Sequence, residues 1–129
     1  MKKNLVLVGI LALLSACQKT DGFAPLAIRD NSASVAMLQK VNNSAQNCWG
    51  KDKEFRALRI IPELDTITGN PRILVVEAKK AQGLPKLVIE APGKPAKVAS
   101  YGPLAQGPMA GRINSDVARW AGGNASCEA

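Results

Sequence analysis

The sequence predicts a small α+β domain in which two helices cover one face of a four-stranded antiparallel sheet. Two stripes of apolar residues at helical spacing lie on either side of the middle of the chain. Four short apolar runs, separated by turn residues, lie between the two stripes. The connections between the runs are too short for parallel crossovers, so the strands are expected to form an antiparallel meander.

The first helix is predicted within NSASVAMLQKVNNSAQNCW, which begins at residue 31. Asn31 or Ser32 is expected to cap its first turn. Its apolar stripe repeats at spacings of 3, 3, 4 and 3 and consists of Val35, Leu38, Val41, Ala45 and Cys48. Trp49 follows the helix beside Cys48 and is expected in the core, and a ligand-stacking role is the alternative.

The four strands are predicted in FRALRII (55–61), RILVVEA (72–78), KLVIEA (86–91) and AKVASY (96–101). Pro62 lacks a backbone N–H, which places the first strand at an edge of the sheet or at a bulge. The second strand is apolar on both faces and is therefore expected in the sheet interior. Val88, Val98 and the outward side of the second strand give the other face of the sheet an apolar character, which makes that face a candidate partner surface.

The second helix is predicted from Pro108, a residue type favoured at the first helical position. Its apolar stripe consists of Met109, Ile113, Val117 and Trp120. Gly122 and Gly123 are expected to end the helix through left-handed backbone geometry.

The cysteines predict one disulfide. Cys48 and Cys127 are an even pair once Cys17 is assigned to another role, and a bond between them would close a long loop. A metal pair and a reactive thiol are the alternatives. A zinc site needs three or four ligands, and the chain contains no histidine.

The amino terminus predicts export. Lys2 and Lys3 precede the apolar run in LVLVGILALLSACQKT (5–20), which is too short to span a bilayer. The ending LSAC (14–17) resembles the lipobox of bacterial lipoproteins, and the resemblance implies that Cys17 is acylated and becomes the first mature residue. The predicted organisation is a signal peptide at 1–16, a lipidated tether at 17–30 and an α+β domain at 31–129. Gln18 at the position after the cysteine implies, by the same resemblance, the periplasmic face of the outer membrane.

Composition excludes several function classes. Without histidine, the chain cannot carry a Ser-His-Asp or Cys-His site, and no glycine-rich phosphate loop or Cys-x-x-Cys motif is present. The acidic residues are dispersed, so a carboxylate pair would have to be assembled by folding. We therefore predict no catalytic residue, no metal and no cofactor.

Basic residues define the candidate binding patch. Lys51, Lys53, Arg56 and Arg59 surround the start of the first strand, and Lys79, Lys80 and Lys86 surround the second turn. Brought together, they would attract an anionic envelope component such as lipopolysaccharide or peptidoglycan. The alternative is an ordinary solvated face with protected strand edges. Nucleic acid is not an expected partner, because the basic residues are not interleaved with aromatic ones.

A second resemblance concerns topology. A helix ending in Cys48-Trp49, the strand pair LRIIPELDTITGNPRILVV and a later helix resemble the periplasmic C-terminal domains of TolA and TonB. Two further strands precede the last helix here. The resemblance implies an α+β fold.

Three function hypotheses follow. The leading one is a non-catalytic lipid-anchored accessory protein or adaptor, which contacts an envelope protein or an anionic envelope component. The second is an inhibitor of a periplasmic enzyme, with YGPLAQGPMAG (101–111) as the inhibitory loop. The third is a histidine-free hydrolase.

Overall fold

The structure is a computed structural model, and it describes residues 30–65 and 69–127. The predicted signal peptide, Cys17 and almost all of the tether lie outside the described residues. Within them, the element order is α1 (Ser32–Cys48), β1 (Leu58–Glu63), β2 (Arg72–Glu77), β3 (Leu87–Glu90), β4 (Ala99–Tyr101) and α2 (Ala110–Ala121). Three short 3-10 turns, Trp49–Lys51, Ala78–Lys80 and Pro103–Ala105, join these elements.

The sheet is the predicted meander. Its strands are all antiparallel neighbours in the order β1-β2-β3-β4. Pro62 lies within β1, which is an edge strand as predicted, and pairs with Ile73. β4 is three residues shorter than the predicted strand at 96–101, because residues 93–96 form a turn.

One core lies between the helices and the inner face of the sheet. α1 contacts β1, β2 and β3, while α2 packs against α1. The inner face contributes Ile73 and Val75 from β2 and Leu87 and Ile89 from β3. Both apolar stripes point into this core except at Val35, which is partly exposed and does not belong to it. The helical members of the core are Leu38, Val41, Ala45, Cys48, Ile113, Val117 and Trp120, and Met109, just before α2, packs against it.

Local hydrogen bonds and neighbouring turns set the ends of both helices. Asn31 is the N-cap residue of α1, but Asp30 provides the capping oxygen, which accepts from the Ser32 N–H at 3.2 Å. α2 begins at Ala110, two residues after the predicted start at Pro108, because Pro108 and Met109 belong to a preceding turn. Gly123 has a φ of 96° and ends α2 with a Schellman motif, in which the Asn124 N–H donates to the Arg119 carbonyl.

The predicted disulfide is present. Cys48 at the end of α1 is bonded to Cys127, with their Cα atoms 5.2 Å apart. The bond therefore ties the C-terminal segment, which follows α2, to the end of α1.

Val98 corrects one expectation about the outer face. It packs against the core, on the inner side, rather than on the exposed side. The register explains the difference: Ser100 pairs with the inward-facing Ile89, so Val98, two residues earlier, lies on the same side. The outer face instead carries an apolar row across all four strands, consisting of Ile61, Leu74, Val88 and Tyr101.

Candidate functional site

The candidate site starts from the predicted basic patch, two of whose four members line a common cavity. Arg56 and Arg59 line one cavity of about 370 Å³ between the end of α1 and β1. Lys51 lies in the 3-10 turn and donates to Asn47 at 2.7 Å, and Lys53 is exposed in the following turn. Neither of these two lysines lines the cavity.

A second group of basic residues joins Arg56 instead. The Ala78 N–H donates to the Ala57 carbonyl at 2.8 Å, which extends the β1–β2 pairing by one residue. Arg56 precedes Ala57 and Lys79 follows Ala78, so this antiparallel pairing brings Arg56 beside Lys79. Both line a groove of about 840 Å³, together with Lys86. We call this groove, whose basic rim is Arg56, Lys79 and Lys86, the basic groove.

The floor and walls of the basic groove are apolar. Leu58, Leu104 and Met109 line it and are partly buried against the core. Pro103 and Pro108 complete the far wall. An apolar floor under a charged rim suits a ligand that is apolar at one end and charged at the other.

The far wall is the loop that was predicted as an inhibitory segment. The Leu104 N–H donates to the Lys86 carbonyl at 2.9 Å, which fixes the loop against the start of β3. Gly102 makes the close approach possible: its φ is 115°, and a Cβ there would lie 2.8 Å from the Lys86 carbonyl oxygen. Packed in this way, the loop forms a wall of the groove.

The charge of the basic groove is largely unopposed. Its single acidic lining residue is Glu77, which pairs with Lys86 at 3.0 Å. The hydrogen bond from Lys86 lowers the pKa of Glu77 below its ordinary value, so this pair stays charged at neutral pH. Within residues 30–65 and 69–127, Arg56, Arg59 and Lys79 form no ion pair.

Arg112 positions the segment that carries Arg56. From α2, its guanidinium pairs with Asp52 and, at 2.5 Å, with Glu54. The same group lies 5.3 Å from the ring centroid of Phe55, the residue before Arg56. The hydrogen bond from Arg112 lowers the pKa of Asp52. The ion pair of Arg112 and Asp52, which we call the clamp, therefore stays ionised at neutral pH.

The opposite end of the sheet is acidic. Asp30 and Glu90 line a cavity of about 610 Å³ that also includes Lys94. Glu63 and Asp65 line a neighbouring cavity with Glu90 and Arg72. Among the residues that line these two cavities, at the end where the predicted tether meets the domain, four carboxylates therefore accompany two basic groups.

Asp116 is the most buried acid in the described part of the chain. Asp116 is 2% exposed, and its oxygens bind Arg119 and the indole N–H of Trp49.

Among the described residues, no group of three or more His, Cys, Asp or Glu side chains is placed to hold a metal ion. No helix in the described part of the chain is both long and apolar enough to cross a bilayer.

Sequence reasoning identified both basic clusters and considered a patch that joins them, but not which of their members meet. The missing signal was the pairing of residues 57 and 78, which depends on strand register. Leu104 and Met109 lie in the segment 101–111 that was predicted as an inhibitory loop, but neither was expected to line a groove beside the basic residues. Comparisons with protein-family models, with curated proteins and with solved structures find no match to this chain.

Proposed function

We propose that this protein is a non-catalytic, lipid-anchored protein of the bacterial envelope that binds an anionic amphiphile in the basic groove. The observation that carries the proposal is the apolar floor of Leu58, Leu104 and Met109 beneath the rim of Arg56, Lys79 and Lys86. An anionic head group would pair with the rim while an apolar chain covers the floor. Envelope lipids and lipopolysaccharide have this chemistry.

The dimensions of the basic groove suit such a ligand. Its volume of about 840 Å³ lies within the range of about 300–1,000 Å³ that is usual for small-molecule sites. Each methylene buried in it contributes about 0.8 kcal/mol. With about six methylenes buried and one or two charge contacts at the rim, the dissociation constant would be roughly 10–100 µM.

The anchor is the second part of the proposal. Cys17, at the end of the LSAC box, is proposed to carry the acyl chains that hold the protein on the periplasmic face of the outer membrane. Metabolic labelling with palmitate tests it directly: the wild-type chain should incorporate label and fractionate with membranes, and Cys17→Ser should do neither. A membrane-bound, unlabelled wild-type chain would contradict the anchor.

Titration with simple amphiphiles tests the groove. The mature chain carrying Cys17→Ser is titrated with dodecyl phosphate below its micelle concentration. Dodecyl maltoside, which has the chain without the charge, and butyl phosphate, which has the charge without the chain, are titrated in parallel. Binding of dodecyl phosphate at least tenfold tighter than either comparison compound is expected. Equal affinity for all three, or no binding of dodecyl phosphate, would refute the proposed ligand class.

A pair of charge-reversal variants locates the binding site. Arg56→Glu with Lys79→Glu is expected to weaken dodecyl phosphate binding at least tenfold. Lys40→Glu with Lys97→Glu makes the same change in net charge at exposed positions outside the basic groove, and should weaken binding less than twofold. A similar loss in both variants would mean that net charge, and not the groove, attracts the ligand.

The alternative of an enzyme inhibitor has less support from the geometry. An inhibitory loop must project into a cleft of its target. Leu104 and Ala105 in the candidate loop pack instead against the core of the domain itself.

A further inference from the structure

We infer that the domain folds back on its own anchor, so that the basic groove faces the leaflet that holds Cys17 and takes its anionic lipid from there. This inference rests on the proposed function, and adds the source of the ligand and the orientation of the domain. Three observations support it: the position of Asp30, the distribution of charge, and an exposed leucine beside the groove.

The basic groove and the start of the described chain lie at opposite ends of the sheet. Asp30 shares a cavity with Asn70 and Pro71, which precede β2. Glu77, the last residue of β2, lines the basic groove. The six residues of β2 separate the two ends by about 20 Å. An upright domain would therefore present the groove away from its own membrane.

The chain between Cys17 and Asp30 is long enough for the domain to lie inverted on the membrane that holds Cys17. Thirteen peptide units span at most about 45 Å, which is more than twice the length of the sheet. A glycine- and serine-rich linker of that length has a root-mean-square span of about 20 Å, close to the distance required. Effective concentration is highest when the span of a linker matches the separation of the two sites that it joins.

Charge favours the inverted orientation. Arg56, Arg59 and Lys79 lie at the groove end, whereas the end near Asp30 carries more carboxylates than basic groups. The two ends are farther apart than the Debye length of about 8 Å at physiological salt, so each end responds separately to an anionic surface. At about fivefold per basic side chain near such a surface, three side chains favour the groove-down orientation by roughly 100-fold.

Leu84 adds an apolar contact at the groove end. It is 89% exposed, and it lies in the turn that follows the Ala78–Lys80 segment and precedes β3. The Gly83 N–H donates to the Lys80 carbonyl at 2.8 Å, which shapes this turn. Lys79, Lys80 and Lys86 flank it in the sequence. An exposed apolar side chain among lysines is the composition that inserts at a lipid headgroup boundary.

Photocrosslinking in vesicles tests the orientation. The acylated mature chain is placed in vesicles that contain 30% anionic phospholipid. A photoreactive residue is introduced at Gln106, which is exposed between the groove residues Leu104 and Gly107, or at Lys94, at the other end. We expect at least fivefold more lipid adduct from position 106 than from position 94. In vesicles of neutral lipid alone, the ratio should approach one.

The tether variants form the matched control. Deletion of residues 19–26 leaves five peptide units between Cys17 and Asp30, which span at most about 17 Å, and should abolish the preference for position 106. Replacement of the same eight residues with glycine and serine keeps the length and should keep the preference. Leu84→Ser should reduce the adduct at position 106 at least threefold, whereas Ala33→Ser, on an exposed site of α1, should leave it unchanged.

Two outcomes would overturn the inference. One is equal or greater adduct formation at position 94, which would mean an upright domain. The other is aggregation of the vesicles through the groove, which would mean that the groove engages a second membrane. If dodecyl phosphate binds the soluble Cys17→Ser chain while either outcome occurs, the proposed function stands and only the orientation fails.

Discussion

The indole N–H of Trp49 donates a hydrogen bond of 2.9 Å to Oδ2 of Asp116, and both side chains are almost fully buried. The other oxygen of Asp116 binds Arg119 from one turn later on α2. Trp49 stacks on Phe55, with ring centroids 4.7 Å apart, and meets Trp120 edge-on at 5.0 Å. One buried carboxylate therefore links α2 to the end of α1 and, through Phe55, to the segment that carries Arg56.

Removing that carboxylate should destabilise the domain more than any exposed acid does. Asp116→Ala leaves the Trp49 N–H without its partner and removes one of the two acceptors of the Arg119 guanidinium, and we expect a loss of about 3 kcal/mol in the free energy of unfolding. Glu54→Ala, whose ion pair with Arg112 is exposed, should cost less than about 1 kcal/mol. Urea denaturation followed by tryptophan fluorescence measures both. Equal losses would show that the buried network stabilises the domain no more than an exposed ion pair does.

The disulfide should contribute a comparable amount. Cys48 and Cys127 are 79 residues apart in sequence, and the chain-entropy model gives about 4–5 kcal/mol for closing such a loop. The Ser126 carbonyl, next to Cys127, accepts from the Trp120 indole at 2.9 Å and from Arg119 at 3.0 Å. Cys48→Ser with Cys127→Ser should therefore lower the urea midpoint and alter Trp120 fluorescence.

Reduction of the wild-type chain is the control for the cysteine variants. With a thiol reductant, its urea midpoint should fall to that of the double variant, whose own midpoint should not respond to the reductant. A wild-type midpoint that is insensitive to reduction would contradict the predicted contribution of the bond.

The sequence predicted the elements well because their signals are local. Helical spacing identified the buried faces of α1 and α2, and turn residues separated the four strands. Pro62 also marked an edge strand correctly, since a missing N–H is a property of one residue. Each of these inferences depends on residues that are close together in the chain.

The errors came from contacts between distant residues. Val98 was assigned to the outer face, whereas its side is set by the pairing of Ser100 with Ile89. Proximity in sequence defined two separate basic clusters, at residues 51–59 and at residues 79–86, and did not say which of their members meet. The structure unites Arg56 with Lys79 and Lys86, because β1 and β2 pair. Asp116 gave no sign of burial, since its partner Trp49 is 67 residues away.

Replacing Gly102 by alanine should destabilise the domain, whereas replacing Gly111 should not. Gly102→Ala places a Cβ 2.8 Å from the Lys86 carbonyl oxygen at a φ of 115°, and should cost at least about 2 kcal/mol. Gly111→Ala in α2 meets no atom within 4 Å and should stabilise the domain by about 0.5–1 kcal/mol. Thermal denaturation measures both changes. Because Gly102 fixes a wall of the basic groove, its variant should also bind dodecyl phosphate more weakly, while the Gly111 variant should not.

The clamp between Arg112 and Asp52 should make stability depend on pH in the acid range. The hydrogen bond from Arg112 holds the pKa of Asp52 below its ordinary value of 3.8 in the folded chain. Between the lowered pKa of folded Asp52 and its ordinary pKa in the unfolded chain, the unfolded chain binds more protons. The stability that the clamp contributes is therefore complete above about pH 4, and it is lost as the pH falls through the lowered pKa. Asp52→Asn removes the titrating group while it keeps an oxygen that accepts from the Glu54 N–H, which lies 2.8 Å away in the wild type. Urea midpoints measured from pH 6 to pH 2.5 should fall less steeply in Asp52→Asn than in the wild type, and Lys40→Ala should retain the wild-type slope. Parallel slopes in all three chains would show that the clamp does not contribute to acid sensitivity.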